Sequence, residues 1–262
     1  MGPSNAAPPR PPSAPPVPPD RRWFLIPRPV ENPRVRLFCF PYAGGNATQY
    51  VPWARVLPAD IELVAVQLPG RGTRFREAPF DRLAPLLYAL VSILQPHLQQ
   101  KYAFFGHSMG ALMSFELSRM LRQLGLPMPS QLILSGRKAP HLPEEAPPMH
   151  ALPDALFWQR LQALNGTPEA LLREPELMAM ILPTLRADFA LIEHWQYIQQ
   201  APLNVPITAL GGNRDPRVPP ESLIEWRHHT TGPFQHALFE GDHFYLNTER
   251  DTLLETLINT LR

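Results

Sequence analysis

The chain has 262 residues, 44% of them hydrophobic and 18% charged, with a formal net charge of +1. That length is generous for one domain and suits an α/β enzyme with an inserted cap. Interspersed, near-neutral charge leaves no basic footprint for nucleic acid, a single cysteine excludes a disulfide framework, and no apolar run approaches the roughly 20 residues needed to span a bilayer.

Nine of the first 20 residues are proline. Proline supplies no N–H to a helix or ladder, and this segment has almost nothing to bury. Residues 1–22 are therefore expected to form a disordered or polyproline-II tail outside the fold. They lack the apolar centre of a secretory signal. With the lone cysteine, that points to the cytoplasm.

A single α/β domain is expected over 23–262. Apolar runs predict strands at 35–40, 61–66, 102–105, 131–135, 206–210 and 236–239. Cys39 lies inside the first of these, as a small buried hydrophobe. Helical segments fall at 83–98, 111–124, 221–227 and 250–261. Continuous apolar strands suit a parallel sheet covered on both faces, and the alternation predicts a mostly parallel, doubly wound sheet. Between Ser135 and Pro206 no strand is evident. Short helical pieces at 154–164, 168–172 and 174–189 predict a helical insertion, about 140–203, lying over the site as a lid. Met149, Leu152, Phe157, Trp158, Leu161, Met178, Met180 and Ile181 are expected mainly to pack that lid onto the core.

The run Gly106-His107-Ser108-Met109-Gly110 has the form G-x-S-x-G, between a strand and a helix. A serine on such a turn is held in a strained conformation with its hydroxyl pushed out, at the positive end of a helix dipole. A serine hydroxyl needs a base, and the base needs an orienting carboxylate. In this architecture they follow in the order Ser, acid, His, at strand ends. Asp215 follows strand 206–210 and His243 follows strand 236–239, so Ser108, Asp215 and His243 are the expected catalytic set. Asp188, in the helical insertion, is the competing acid, with a salt bridge or lid hinge as its alternative role. Asp242 reads as a turn residue. His107 is expected to point away from Ser108, and His228 and His229 to lie on the surface. For the oxyanion, donors are expected from the Met109 N–H and from the glycine loop after the first strand, at Tyr42 or Ala43.

Five motifs now stand in order: Phe40-Pro41-Tyr42-Ala43-Gly44-Gly45, Leu68-Pro69-Gly70-Arg71-Gly72, Gly106-His107-Ser108-Met109-Gly110, Leu185-Arg186-Ala187-Asp188-Phe189 and Gly241-Asp242-His243-Phe244. From about residue 23 onward the chain resembles the type II thioesterases of polyketide and nonribosomal peptide synthesis, and is similar to medium-chain acyl-carrier-protein thioesterases. The resemblance implies an α/β-hydrolase fold and hydrolysis of acyl groups from the phosphopantetheine thiol of acyl or peptidyl carrier proteins, to edit stalled units. It assigns Ser108 as nucleophile, His243 as base, Asp215 as acid and Ala43 and Met109 as oxyanion-hole positions. It implies no metal and no cofactor beyond the phosphopantetheine that the substrate carries, and no nucleic-acid or membrane partner. A monomer is expected. Asn46 and Tyr245 depart from the family pattern without touching the proposed triad, and the proline-rich tail is unaccounted for. Some lid residues would then line an acyl channel. Arg71, Arg74, Arg76 and Arg217 would be solvated surface charge or would meet an acidic carrier, with a structural role open for Arg71. Alternatives are a general carboxylesterase, a chain-releasing thioesterase and a carrier-binding module without activity.

Overall fold

The computed structural model describes residues 22–144, 146–164 and 174–262. The tail expected over 1–22 (Arg22 apart) and the helical piece at 168–172 lie outside the described residues. Seven strands form one sheet: β1 (Phe24–Leu25), β2 (Val35–Phe40), β3 (Ile61–Val66), β4 (Tyr102–His107), β5 (Leu132–Ser135), β6 (Ile207–Gly212) and β7 (Phe234–Phe239), in the order β1-β3-β2-β4-β5-β6-β7. All neighbours are parallel except β1, which pairs antiparallel with β3. Two-residue β1 carries no sequence signature, because register with β3 creates it. β7 begins two residues before the expected 236 and lies at the end of the strand order, with Gln235, His236 and Leu238 exposed.

Helices α1 (Leu83–Leu94), α2 (Met109–Gln123), α3 (Asp154–Ala163), α4 (Pro175–Glu193), α5 (Pro220–Ile224), α6 (Tyr245–Thr248) and α7 (Arg250–Thr260) complete the described fold. The two-residue period of a strand divides β2 cleanly. Phe38 and Phe40 join a core with α1 and α2, whereas Val35, Leu37 and Cys39 join one with Tyr245 of α6 and Leu253, Leu254 and Leu257 of α7. Both faces are thus apolar, which is why the strands read as unbroken hydrophobic runs. α1 stops at Leu94 rather than 98, where Pro96 enters a 3₁₀ turn.

α3 and α4 lie between β5 and β6 and bring Phe157, Leu161, Leu185 and Phe189 together with Met149. Leu152, Trp158 and Ile181 pack against that cluster, but Met180 is exposed. α4 contains Pro183, and its described burial is concentrated beyond that proline, over Thr184–Leu191. Among the described residues no helix is long and apolar enough to cross a membrane.

The registers Phe40↔Gly106, His107↔Ser135, Ser135↔Leu210 and Gly212↔Phe239 align the carboxyl ends of five strands along one sheet edge. Loops leaving that edge converge on one site, where ligands bind in open α/β sheets.

Cys39 is fully buried and its thiol is pushed well above its ordinary pKa by burial. Thiolate is the reactive species. Native protein should resist iodoacetamide at neutral pH, and one thiol per chain should alkylate in urea, as read by intact mass.

Candidate active site

β4 ends in a turn whose geometry explains its sequence. Ser108 has φ +54° and ψ −108°, and is the one non-glycine residue with positive φ among the described residues. Such strain persists only where its surroundings impose it. The Ser108 N–H donates to the Ser135 carbonyl (2.8 Å), and its own carbonyl accepts from Ala111 and Leu112, starting α2 at Met109, two residues before the expected 111. A Cβ on Gly106 would lie 2.0 Å from the Gly110 carbonyl oxygen, and one on Gly110 would lie 2.3 Å from that of Phe40. Both glycines are therefore steric requirements for a serine held at the amino end of a helix.

Asp215 and His243 come from the loops after β6 and β7. His243 Nδ1 donates to Asp215 Oδ2 (2.6 Å), and the Arg217 N–H donates to Asp215 Oδ1 (2.9 Å). Both side chains are buried. With Nδ1–H committed to the carboxylate, the imidazole presents Nε2 as an acceptor. Nε2 is buried and has no hydrogen-bond partner among the described residues. Ser108 and His243 line one cavity. The two loops interlock at Gly212, where a Cβ would lie 2.3 Å from the Asp242 carbonyl oxygen. Asp242 shapes the turn, its Oδ1 accepting the Phe244 N–H (2.8 Å).

His107 packs behind this pair, its ring 5.0 Å from that of His243. Its Nδ1 bonds Ser135 Oγ (2.8 Å), which in turn bonds the Tyr245 hydroxyl (2.6 Å). Burial, with His243 and Arg217 nearby, holds its pKa well below the usual histidine value. Sequence reasoning missed this Ser135–Tyr245 support, since neither residue carries a motif. His229 departs from the expected surface position. It is buried against Phe115, Trp226 and Tyr197, and burial pushes its pKa down to about 4. His228 is more than half exposed.

Asp188 does not reach His243. Its carboxylate pairs with the Arg71 guanidinium through two bonds of 2.7 and 2.8 Å, and Oδ2 also accepts the Gly44 N–H (2.7 Å). Arg71 Nη1 further donates to the Gly45 carbonyl (3.2 Å). Arg71 is thus internal rather than solvated or available to a partner. So is Arg74, which lies over the Trp23 ring, pairs with Glu77 and donates to the Gln67 carbonyl. Arg76 and Arg217 are exposed.

The loop after β2 places Ala43 and Gly44 on the same cavity as Ser108. Met109 is fully buried directly after the serine. The cavity is about 530 Å³. Its lining includes apolar Leu161, Leu185, Phe189 and Ile192 and polar Asn46, Gln49, Asn247 and Arg217. Among the described residues no three His, Cys, Asp or Glu side chains gather as metal ligands.

An α/β sheet with a strained serine at its carboxyl edge and a buried Asp–His pair beside it defines an α/β-hydrolase. The thioesterase domain family matches residues 35–261, and the chain belongs to that family of thioester hydrolases. It is 45% identical over 245 residues to linear gramicidin dehydrogenase LgrE of Brevibacillus parabrevis, covering 92% of this chain and 93% of that protein. It is 41% identical to the gramicidin S biosynthesis protein GrsT of Aneurinibacillus migulanus, covering 92% and 94%. The type II thioesterase BorB from the borrelidin biosynthetic cluster superposes with a TM-score of 0.84 at 38% identity, covering 92% of this chain and 98% of that one.

Three outcomes follow. Gly106→Ala should destabilise the protein by about 1–3 kcal/mol or more through overpacking, and chemical denaturation of the purified variant checks it. Arg71→Met should cost about 3–5 kcal/mol by leaving a buried carboxylate unpaired, read the same way. His107 and His229 remain neutral in the fold, whereas the unfolded chain protonates them as pH falls through about 6.5. The unfolded state then binds more protons, so stability is fully present above that pH and declines below it. Urea midpoints between pH 7.5 and 5 should fall, with a shallower slope in His107→Asn.

Proposed function

We propose that this chain hydrolyses acyl groups from the phosphopantetheine thiol of acyl or peptidyl carrier proteins, through an acyl-serine on Ser108. The observation that carries the reading is the strained Ser108 on one cavity with His243, whose Nδ1 is held by buried Asp215 and whose Nε2 has no partner among the described residues. His243 Nε2 takes the Ser108 proton as Oγ attacks the thioester carbonyl. The Ala43 and Met109 N–H groups receive the oxyanion. The C–S bond breaks, the proton passes to the leaving thiolate, and the acyl-serine remains. Water, deprotonated by His243, then attacks the ester; the acyl C–Oγ bond breaks, Ser108 Oγ takes the proton back from His243, and the acid leaves. Asp215 holds the tautomer and stabilises the imidazolium.

Relatives tied by name to gramicidin and borrelidin synthesis support a carrier-bound substrate and an editing role in polyketide or nonribosomal peptide assembly. The reaction requires no metal or resident cofactor, and one chain in the cytoplasm supplies every group invoked. The sequence contains no G-x-G-x-x-G run of the kind that marks many dinucleotide sites.

Intact-mass measurement on carrier proteins loaded with acetyl, propionyl and longer acyl groups tests the reading. Loss of the acyl mass with the arm retained is expected. Ser108→Ala should slow it on the order of 10⁴- to 10⁶-fold, and Asp215→Asn by about 10⁴-fold. Rapid cleavage of simple esters with every loaded carrier left intact would instead identify a general esterase.

A further inference from the structure

The Asp188 carboxylate is almost fully buried, yet it takes no part in the proposed proton transfers. A buried ion pair is weak support for stability, since desolvation offsets most of its attraction. Its position is more informative. The Gly45 N–H donates to the Tyr42 carbonyl (2.9 Å), closing a four-residue turn with Ala43 and Gly44 at its centre. Gly44 has φ +78°, the value of a type II turn at its third residue. Types I and II differ by a flip of the central peptide, here Ala43–Gly44. The N–H of that peptide is the group Asp188 Oδ2 accepts, and Arg71 holds the turn's far end through the Gly45 carbonyl.

We propose that Asp188 is a positioning residue of the oxyanion hole, through which docking of α4 sets the donor at Ala43. The inference rests on the reaction proposed above. The Ala43 N–H lies opposite the Tyr42 carbonyl across one planar peptide, so fixing the turn fixes the donor's direction. α4 supplies the clamp from one face. Leu185 presses on Gly44, where a Cβ would meet Leu185 Cδ2 at 2.7 Å, and Asp188 follows three residues later. Thr184 Oγ donates to the Gly70 carbonyl (2.7 Å) beside them. A lid lifted from these loops takes the carboxylate with it, so the hole is assembled when the lid is seated.

Asp188→Asn keeps an acceptor for Gly44 and removes the charge that holds Arg71. The test measures kcat and KM on an acyl-pantetheine thioester and a p-nitrophenyl ester, and the affinity of an alkyl trifluoromethyl ketone, whose serine adduct carries the oxyanion. A 10- to 100-fold lower kcat is expected, on the scale of a misaligned or lost oxyanion donor, with KM within about threefold and inhibitor affinity falling in parallel. Thr184→Val, which removes one hydrogen bond to Gly70 but leaves Asp188 and Leu185 seated on Gly44, should lower the melting temperature while retaining inhibitor affinity. If Asp188→Asn does not fold, Asp188→Asn/Arg71→Gln, which buries no unpaired charge, is measured against the same criteria. A wild-type-like kcat, unchanged inhibitor affinity, or an equal inhibitor loss in Thr184→Val would overturn the inference alone. A wild type inactive on thioester and ester alike would overturn the proposed function with it.

Discussion

The site depends on a steric constraint at the end of β4. Gly106 and Gly110 face each other across the serine turn so closely that a methyl group on Gly106 would sit 2.0 Å from backbone. Only that contact lets β4 pass into α2 within one residue, and the residue at the crossing adopts φ +54°. Ser108 is consequently presented at the sheet edge and at a helix amino end together. Everything else in the site is arranged around where this turn places one oxygen.

The parallel sheet supplies that arrangement. Because β2, β4, β5, β6 and β7 end in register, their loops deliver the Tyr42–Gly45 turn, the serine, Ser135, Asp215 and His243 to one place without any long excursion. Contacts then fix each loop to its neighbour. Gly212 seats under Asp242, Gly136 under the His107 ring, and Asp188 reaches from α4 to Gly44. Behind the Asp–His pair, His107 Nδ1, Ser135 Oγ and the Tyr245 hydroxyl form a buried hydrogen-bonded chain.

Local features were readable in the sequence and tertiary pairing was not. The serine turn is a five-residue motif, and Asp215 and His243 each follow a recognisable strand, so their place at the sheet edge could be argued from order alone. Ala43 could not be separated from Tyr42 by its residues, because both lie in one turn. Arg71, Arg74 and Arg76 read as a single basic cluster, but two of them are internal. Charge suggests solvent until a partner is known, and the partner of Arg71 stands 117 residues away. His229 was misplaced for the same reason, since its polar neighbours concealed an aromatic cage assembled from Phe115, Tyr197 and Trp226. β1 and the early start of β7 depend on pairing that local composition does not encode.

The proposed hydrolysis passes the acyl group through Ser108. The most direct measurement is rapid-quench mass spectrometry of the wild-type protein mixed with an acyl-phosphopantetheine thioester, followed by peptide mapping. A transient mass gain equal to the acyl group is expected, confined to the peptide containing Ser108 and formed no more slowly than the acid is released. Free acid appearing with no acylated protein at any time, or acylation mapped to another residue, would contradict it.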